Sequence, residues 1–253
     1  MSPRTGIVGV PPWSVIDELN RMGATIVDLD EPQVRAPIDQ TSARIPQVYC
    51  AILRTVVLNC MHLPLDRIYI DVGPGKCNNA LHVADILEDM LPIPVIRTRN
   101  QDTRRFGNPL CTARMPLMQK ISRITQSVQS AAAHDPLPAC TPSCAFWGVP
   151  PRDFSLLTAF PDTTHVFGWT RCMENKTPAD LELEHLFDPA LPTVFFAQSF
   201  CAKTALAHHL ATRHPRSLAI DCDVTPTSSA KAKIEAFLEL SGVLPGIHVH
   251  AAG

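Results

Sequence analysis

Gly9-Val10-Pro11-Pro12 recurs letter for letter as Gly148-Val149-Pro150-Pro151, and the sequence downstream of each copy repeats in kind. After the first copy come Asp71-Val72-Gly73-Pro74-Gly75-Lys76-Cys77, an apolar helical stretch and Pro94-Val95-Ile96. After the second come Phe196-Ala197-Gln198-Ser199-Phe200-Cys201, another helical stretch and Ser217-Leu218-Ala219-Ile220. This duplicated order predicts two similar lobes, each presenting a thiol where a strand ends. Short apolar runs alternate with helical patterns along the chain, which argues parallel sheets covered on both faces. The expected class is α/β: two doubly wound lobes, residues 1–135 and 136–253, with a ligand site in the cleft between them. The stretch from Ala131 to Ser143 is the expected linker.

Working outward, Thr5 to Val10 and Ala24 to Leu29 are expected strands flanking a helix that begins after the prolines, at Trp13, and is stopped by Gly23. Gln47 to His62 reads as an apolar helix, Asp66 to Val72 as a buried strand and Asn78 to Met90 as the next helix, followed by a strand from Ile93 to Arg97. Lobe one also carries an extra helix near Leu117 to Val128. In lobe two, strands are expected at Ala145–Val149, His165–Trp169, Thr193–Ala197 and Leu218–Cys222. Helices are expected at Arg152–Thr158, Pro178–Leu186, Cys201–Arg213 and Ser228–Leu240, the last capped by Thr227 or Ser228. The polar run Thr170 to Thr177 reads as a candidate active-site loop or an ordinary surface loop.

Composition bounds the function classes. A formal net charge of −2 offers nothing to a nucleic-acid backbone. The longest apolar stretch, Val48 to Leu63, is broken by Arg54 and Asn59, so no membrane span is expected. Met1 to Trp13 lacks the apolar core of a secretory signal, so a cytoplasmic location is expected. Nine cysteines are then hard to explain as disulfides, because the cytosol is reducing. Metal or redox chemistry is the favoured use.

In open α/β sheets ligands bind beyond the carboxyl ends of the strands, where Cys77 and Cys201 fall. Both also lie near a helix N-terminus, where free N–H groups and the helix dipole favour a thiolate. Gly73 and Gly75 would let backbone approach an inorganic core and donate N–H groups to it. Cys50 and Cys172 precede Cys77 and Cys201 at similar spacings, so each lobe offers two thiols. Cofactor and metal binding are thus expected of Cys50, Cys77, Cys172 and Cys201 with Gly73 and Gly75. The competing reading makes these cysteines small buried hydrophobes. Cys140 and Cys144, spaced C-x3-C, and Cys111 are weaker ligand candidates; Cys60 and Cys222 read as core. Arg97, Arg99, Arg104 and Arg105 form a basic patch that suits a phosphate group or a solvated loop. Gly73-Pro74-Gly75-Lys76 lacks the spacing and hydroxyl of a Walker loop, no zinc pattern uses the histidines, and no serine nucleophile elbow occurs.

At these residues the chain resembles the 2-hydroxyacyl-CoA dehydratase / benzoyl-CoA reductase superfamily, which includes the double-cubane cluster proteins. Tyr49-Cys50-Ala51-Ile52-Leu53-Arg54 is similar to that family's cysteine on an apolar helix. Lys76-Cys77-Asn78 is similar to its strand-ending cysteine, with Asn in place of the usual Asp. Ala197-Gln198-Ser199-Phe200-Cys201 and the closing helix Lys233-Ile234-Glu235-Ala236-Phe237-Leu238-Glu239 resemble its second lobe, and Gly23-Ala24-Thr25-Ile26-Val27 its recurring Gly-Ala-x-Val-Val. The chain is shorter than the familiar subunits. Cys201 is followed by Ala rather than His, and Trp13 stands after Pro12 where Glu is usual.

The resemblance implies an iron–sulfur cluster, 4Fe–4S or larger, held by Cys50, Cys77 and Cys201 from both lobes. It implies an oxidoreductase or dehydratase-like enzyme of anaerobic chemistry that passes low-potential electrons to a small-molecule substrate. It further implies an ATP-dependent iron–sulfur activator or other low-potential electron donor, and a homodimer or partner subunit. The alternative is a non-catalytic cluster carrier or maturation scaffold. A third reading is a small-molecule-binding α/β module with structural cysteines.

Overall fold

A computed structural model describes residues 2–103, 109–130, 137–178 and 181–243. The first sheet is built from β1 (Arg4–Val8), β2 (Thr25–Asp28), β3 (Arg67–Asp71) and β4 (Val95–Thr98). Its order is β2-β1-β3-β4, and every pairing is parallel. Helices α1 (Trp13–Arg21), α2 (Ala51–His62) and α3 (Asn79–Met90) connect those strands, and α4 (Leu117–Ser127) follows them. The second sheet takes β5 (Ala145–Gly148), β6 (His165–Phe167), β7 (Thr193–Gln198) and β8 (Ser217–Cys222) in the order β6-β5-β7-β8, again all parallel. Its helices are α5 (Trp169–Asn175), α6 (Leu181–His185), α7 (Lys203–Arg213) and α8 (Ser228–Leu240). The fold is α/β with two equivalent four-stranded sheets, as the duplicated sequence predicts. Among the described residues no helix is long and apolar enough to cross a membrane.

Strand side chains alternate between faces, and this alternation builds the core. In β5 and β7, Phe146 and Phe196 face one way and stack at 5.9 Å between ring centroids. Trp147 and Phe195 face the other way and pack with Ala207, Leu210 and Ala211 of α7. The Phe146 side continues into lobe one, where Ile7 of β1 and Ile16 of α1 share a single apolar cluster with Ile121 and Ile124 of α4 and Ile234 of α8. The far face of the first sheet packs Val8, Ile68 and Ile70 under α2 and α3. The two lobes therefore share one apolar cluster, while the far face of each sheet packs separately. The expected boundary at residues 135 and 136 lies outside the described residues, as do residues 131–136 of the expected linker.

Four local expectations are corrected. The segment from Gln47 to Cys50 is not helical: after Pro46 the chain turns, with Tyr49 N–H donating to the Pro46 carbonyl at 3.0 Å. Cys50 is extended and stands at the N-cap position of α2, without a side-chain capping hydrogen bond, instead of lying within the helix. The run Thr170 to Thr177 is mostly helix α5 rather than a loop, and Thr170, Cys172, Met173, Glu174 and Asn175 are buried in it. Helix α4, expected as an addition to lobe one, packs against α5 and the short 3₁₀ turn Phe154–Ala159 of lobe two. That turn replaces the expected Arg152–Thr158 helix and is capped by Asp153, which accepts from Ser155 N–H at 2.8 Å. At the other end of lobe two, Thr227 caps α8 by accepting from Ala230 N–H.

The repeated GVPP tetrapeptide marks the exit of the central strand in each lobe. Gly148 has φ +147°, and a Cβ there would stand 2.3 Å from the Phe196 carbonyl oxygen. A glycine at this position lets β5 run tightly along β7 before the prolines turn the chain away.

Candidate functional site

Each sheet reverses its winding direction beside its first strand, between β1 and β3 in lobe one and between β5 and β7 in lobe two. Such switch points open a crevice at the carboxyl ends of the strands. A cavity of about 100 Å³ lies there, lined from lobe one by Gly9, Cys50, Asp71 and Cys77 and from lobe two by Val149, Trp169 and Cys201. It is far smaller than the roughly 300–1,000 Å³ of pockets that take drug-sized ligands. The lobes are held around it by polar contacts. Arg54 donates to Asp223 at 2.5 Å, Asn100 donates to the carbonyls of Val10 and Lys176, and Arg152 donates to the Asp30 carbonyl and to Glu31.

Three cysteines reach this cavity, each from the start of a different helix. Cys50 stands at the N-cap position of α2, and the N–H groups of Ile52 and Leu53 act on its thiol. Cys77 stands just ahead of α3, and its carbonyl accepts from Ala80 N–H at 2.9 Å. Cys201 stands just ahead of α7; its sulfur accepts from Lys203 N–H at 3.5 Å, and its carbonyl from Thr204 N–H at 3.0 Å. Cys201 belongs to lobe two but packs against the core of lobe one. Cys50 is buried, Cys201 half-buried and Cys77 exposed at the rim.

Burial dominates the protonation of two of these thiols. It pushes Cys201 up to about 12, opposed by the Lys203 N–H and reinforced by the neighbouring Cys50 and Cys77. It also raises Cys50, against the Leu53 and Ile52 N–H groups. Both are neutral thiols at pH 7, so binding a metal here must expel protons.

Charged groups complete the wall. Asp30 is raised to about 6 by burial, against the Gly9 N–H that it accepts at 2.9 Å. Asp71 is raised by burial, opposed by Lys76, by the Asn100 N–H at 2.7 Å and by Thr98. Lys76 stands 3.5 Å from Asp71 and over the Trp169 ring at 5.8 Å. Lys203 pairs with Glu184, and burial lowers its pKa to about 8.

Of the residues singled out from sequence, the fold brings Cys50, Cys77, Cys201 and Gly75 to the cavity wall. It does not bring Cys172 or Gly73 there. Cys172 is fully buried in α5, its thiol donating to the Thr177 carbonyl. Gly73 packs on the exit of β4, where a Cβ would stand 2.7 Å from Asn100 N. Cys140 lies 3.8 Å from His165 Nε2, while Cys60, Cys111, Cys144 and Cys222 are core. Arg97 is taken up by Asp85 and Glu88; Arg104 and Arg105, like His248 and His250, lie outside the described residues. Among the described residues no three His, Cys, Asp or Glu side chains stand close enough to hold a single metal ion.

Sequence reasoning passed over Asp30, Asp71, Lys76, Trp169 and Lys203. A signal for the lysines was present: Lys76 adjoins Cys77, and Lys203 follows two residues after Cys201. Asp71 was marked by being a carboxylate at the end of an otherwise apolar strand.

Compared with protein-family models, with curated proteins and with solved structures, the chain matches none.

Proposed function

We propose that this protein holds an iron–sulfur cluster between its lobes through Cys50, Cys77 and Cys201, and uses it for low-potential electron transfer to a small molecule. One observation carries the reading: three thiols from three helix starts and both lobes line one cavity of about 100 Å³ at the paired switch points. Soft thiolate donors suit iron–sulfur clusters. Cys50, Cys77 and Cys201 would hold the cluster; among the described residues they do not form a compact three-ligand set for a single metal ion. When bound, the cluster supplies one-electron chemistry at low potential.

The chain's own groups do the rest. The N–H groups of Ile52, Leu53 and Lys203 at the sulfurs favour the thiolate form on loading. Val149 and the α2 residues Ile52 and Leu53 form an apolar side of the cavity beside the buried Cys50. Exposed Cys77 offers the electron an entry edge, for which an ATP-dependent iron–sulfur activator is the proposed donor. On this reading the chain is an oxidoreductase of the superfamily it resembles, acting in the cytoplasm as a homodimer or with a partner subunit.

The test is anaerobic reconstitution with iron and sulfide, followed by iron analysis and electron paramagnetic resonance after reduction. Wild type is expected to retain iron and sulfide in comparable amounts. Cys77→Ala and Cys201→Ala are expected to lose most of both. Unchanged iron content in both variants overturns the reading.

The carrier reading is favoured by the same exposed Cys77 and by a cavity with little room for a substrate beside a cluster. Rapid transfer of iron and sulfide to a recipient apo-ferredoxin, without turnover of any small molecule, would select it.

A further inference from the structure

Lys76 is a buried charge paired with Asp71 but, among the described residues, without a hydrogen bond of its own. Its side chain is 6% exposed. An ammonium carries three N–H donors, yet the Lys76 Nζ makes no hydrogen bond among the described residues. Its neighbour Asp71, 3.5 Å away, is too far for a good one and spends its other oxygen on Asn100 N–H and Thr98. Asp71 Oδ2 is likewise without a hydrogen bond. A buried charged donor without a hydrogen bond costs more than the roughly 1–3 kcal/mol of a neutral one, so an acceptor or anion in the cavity would stabilise this arrangement.

The cavity is the place for that partner. Lys76 lines it, and Trp169 carries the ammonium from the lobe-two side. A second ammonium, Lys203, lines the same cavity from lobe two and lies near enough to Lys76 for the two to repel. Lys203 is half-satisfied by Glu184. Two cations from opposite lobes line one small space beside three thiols, with the carboxylates of Asp30 and Asp71 in the same wall, and thiolates formed on loading would add negative charge next to both ammoniums.

We infer that Lys76, seconded by Lys203, is the counter-charge for the anionic group that the three cysteines hold, and that this charge raises the group's reduction potential. The inference rests on the iron–sulfur reading above. Thiolate ligation makes the bound group net negative, and reduction adds a further electron. A fixed ammonium beside it favours the reduced form. Lys76 acts as a positioning and tuning residue; it is not asked to transfer a proton.

The experiment uses the full chain, reconstituted anaerobically with iron and sulfide, and reads the midpoint potential by dye-equilibrated titration. The variants are Lys76→Met, Lys76→Arg and Lys203→Met, with thermal melting of each metal-free variant as the control for folding. Lys76→Met is expected to lower the reduced-to-oxidised ratio at fixed potential about tenfold, which is a shift of about 59 mV to more negative potential for a one-electron couple. Lys203→Met is expected to shift it in the same direction by less, because Glu184 already offsets that charge. Lys76→Arg is expected to restore the wild-type value. Failure of Lys76→Met to load, while Lys76→Arg loads and both melt like wild type, supports the counter-charge role, and the potential is then read from Lys203→Met. A wild-type potential in Lys76→Met overturns it and leaves the iron–sulfur reading intact. Failure of wild type itself to take up iron overturns both.

Discussion

Cys201 is the side chain on which both lobes meet, and its ionisation is the most informative single property of the chain. Its sulfur sits on the core of lobe one while its backbone opens a helix of lobe two. Burial holds the thiol up to about 12, against an ordinary value of 9.0. The linkage follows directly. Below 9.0 the folded and unfolded chains are both protonated at this site, and its contribution to stability is fully present. As pH climbs from there toward 12 the unfolded chain releases the proton and the folded chain keeps it, so stability is lost. Urea unfolding of the metal-free protein is expected to show stability falling above pH 9, with a shallower fall in Cys201→Ala. Its neighbour Phe200 is the opposite case, a half-exposed ring at φ +63°. The left-handed region costs a non-glycine residue roughly 1–2 kcal/mol, while glycine adds about 0.5–1 kcal/mol of unfolded-state entropy. Phe200→Gly is therefore expected to stabilise the metal-free fold by about 1 kcal/mol or less, read from the urea midpoint, and to admit more water to the cavity. At this scale the cysteines were legible from their repeated positions. The lysines beside them were not, because a lysine next to a cysteine has no meaning until burial removes its water.

The elements follow the sequence where composition alone decides them. Strand β7 is buried along its whole length, and its run Thr193-Val194-Phe195-Phe196-Ala197 reads as a doubly covered strand without further information. Two features needed more. Helix α2 begins at Ala51 rather than Gln47 because a turn after Pro46 takes the hydrogen bond that would have started it earlier. Helix α5 was hidden because its buried face includes Thr170, Glu174 and Asn175, residues that a hydropathy pattern reads as solvent-facing. Glu174 is buried because it accepts from Cys111 N–H at 3.0 Å, a contact made across a long stretch of chain. The GVPP exit can be tested as an element. Gly148→Ala would drive a Cβ into the Phe196 carbonyl, at 2.3 Å, where backbone must move on both strands. A loss of about 3 kcal/mol or more is expected, measured by chemical denaturation. A loss under about 1 kcal/mol would mean that the β5–β7 approach is looser than described.

Across the whole molecule, the cavity is walled by both lobes, which are clamped together by polar contacts. Arg152 is the buried part of that clamp: its side chain is 1% exposed and reaches from lobe two to the Asp30 carbonyl and Glu31. Removing one partner of a buried charged contact costs about 3–5 kcal/mol, because the other is left without compensation. Arg152→Ala is expected to lose about 3 kcal/mol in urea unfolding and to weaken iron retention, although no cysteine is touched. Retention at the wild-type level would show that the thiols keep their places without the clamp. Sequence by itself determined the class of fold, the duplication, the order of the strands and most of the helices, and the three thiols that reach the cavity. These are written in local composition and in repetition, which need no third dimension to read. Only the tertiary structure decided that Cys172 stays inside α5, that Gly73 serves the approach to Asn100, and that α4 belongs with lobe two. It alone brought Asp30, Asp71, Lys76 and Lys203 to one cavity. The reason is physical: a side chain's charge, protonation and partners depend on what excludes water from it, and here water is excluded by groups from the other half of the chain.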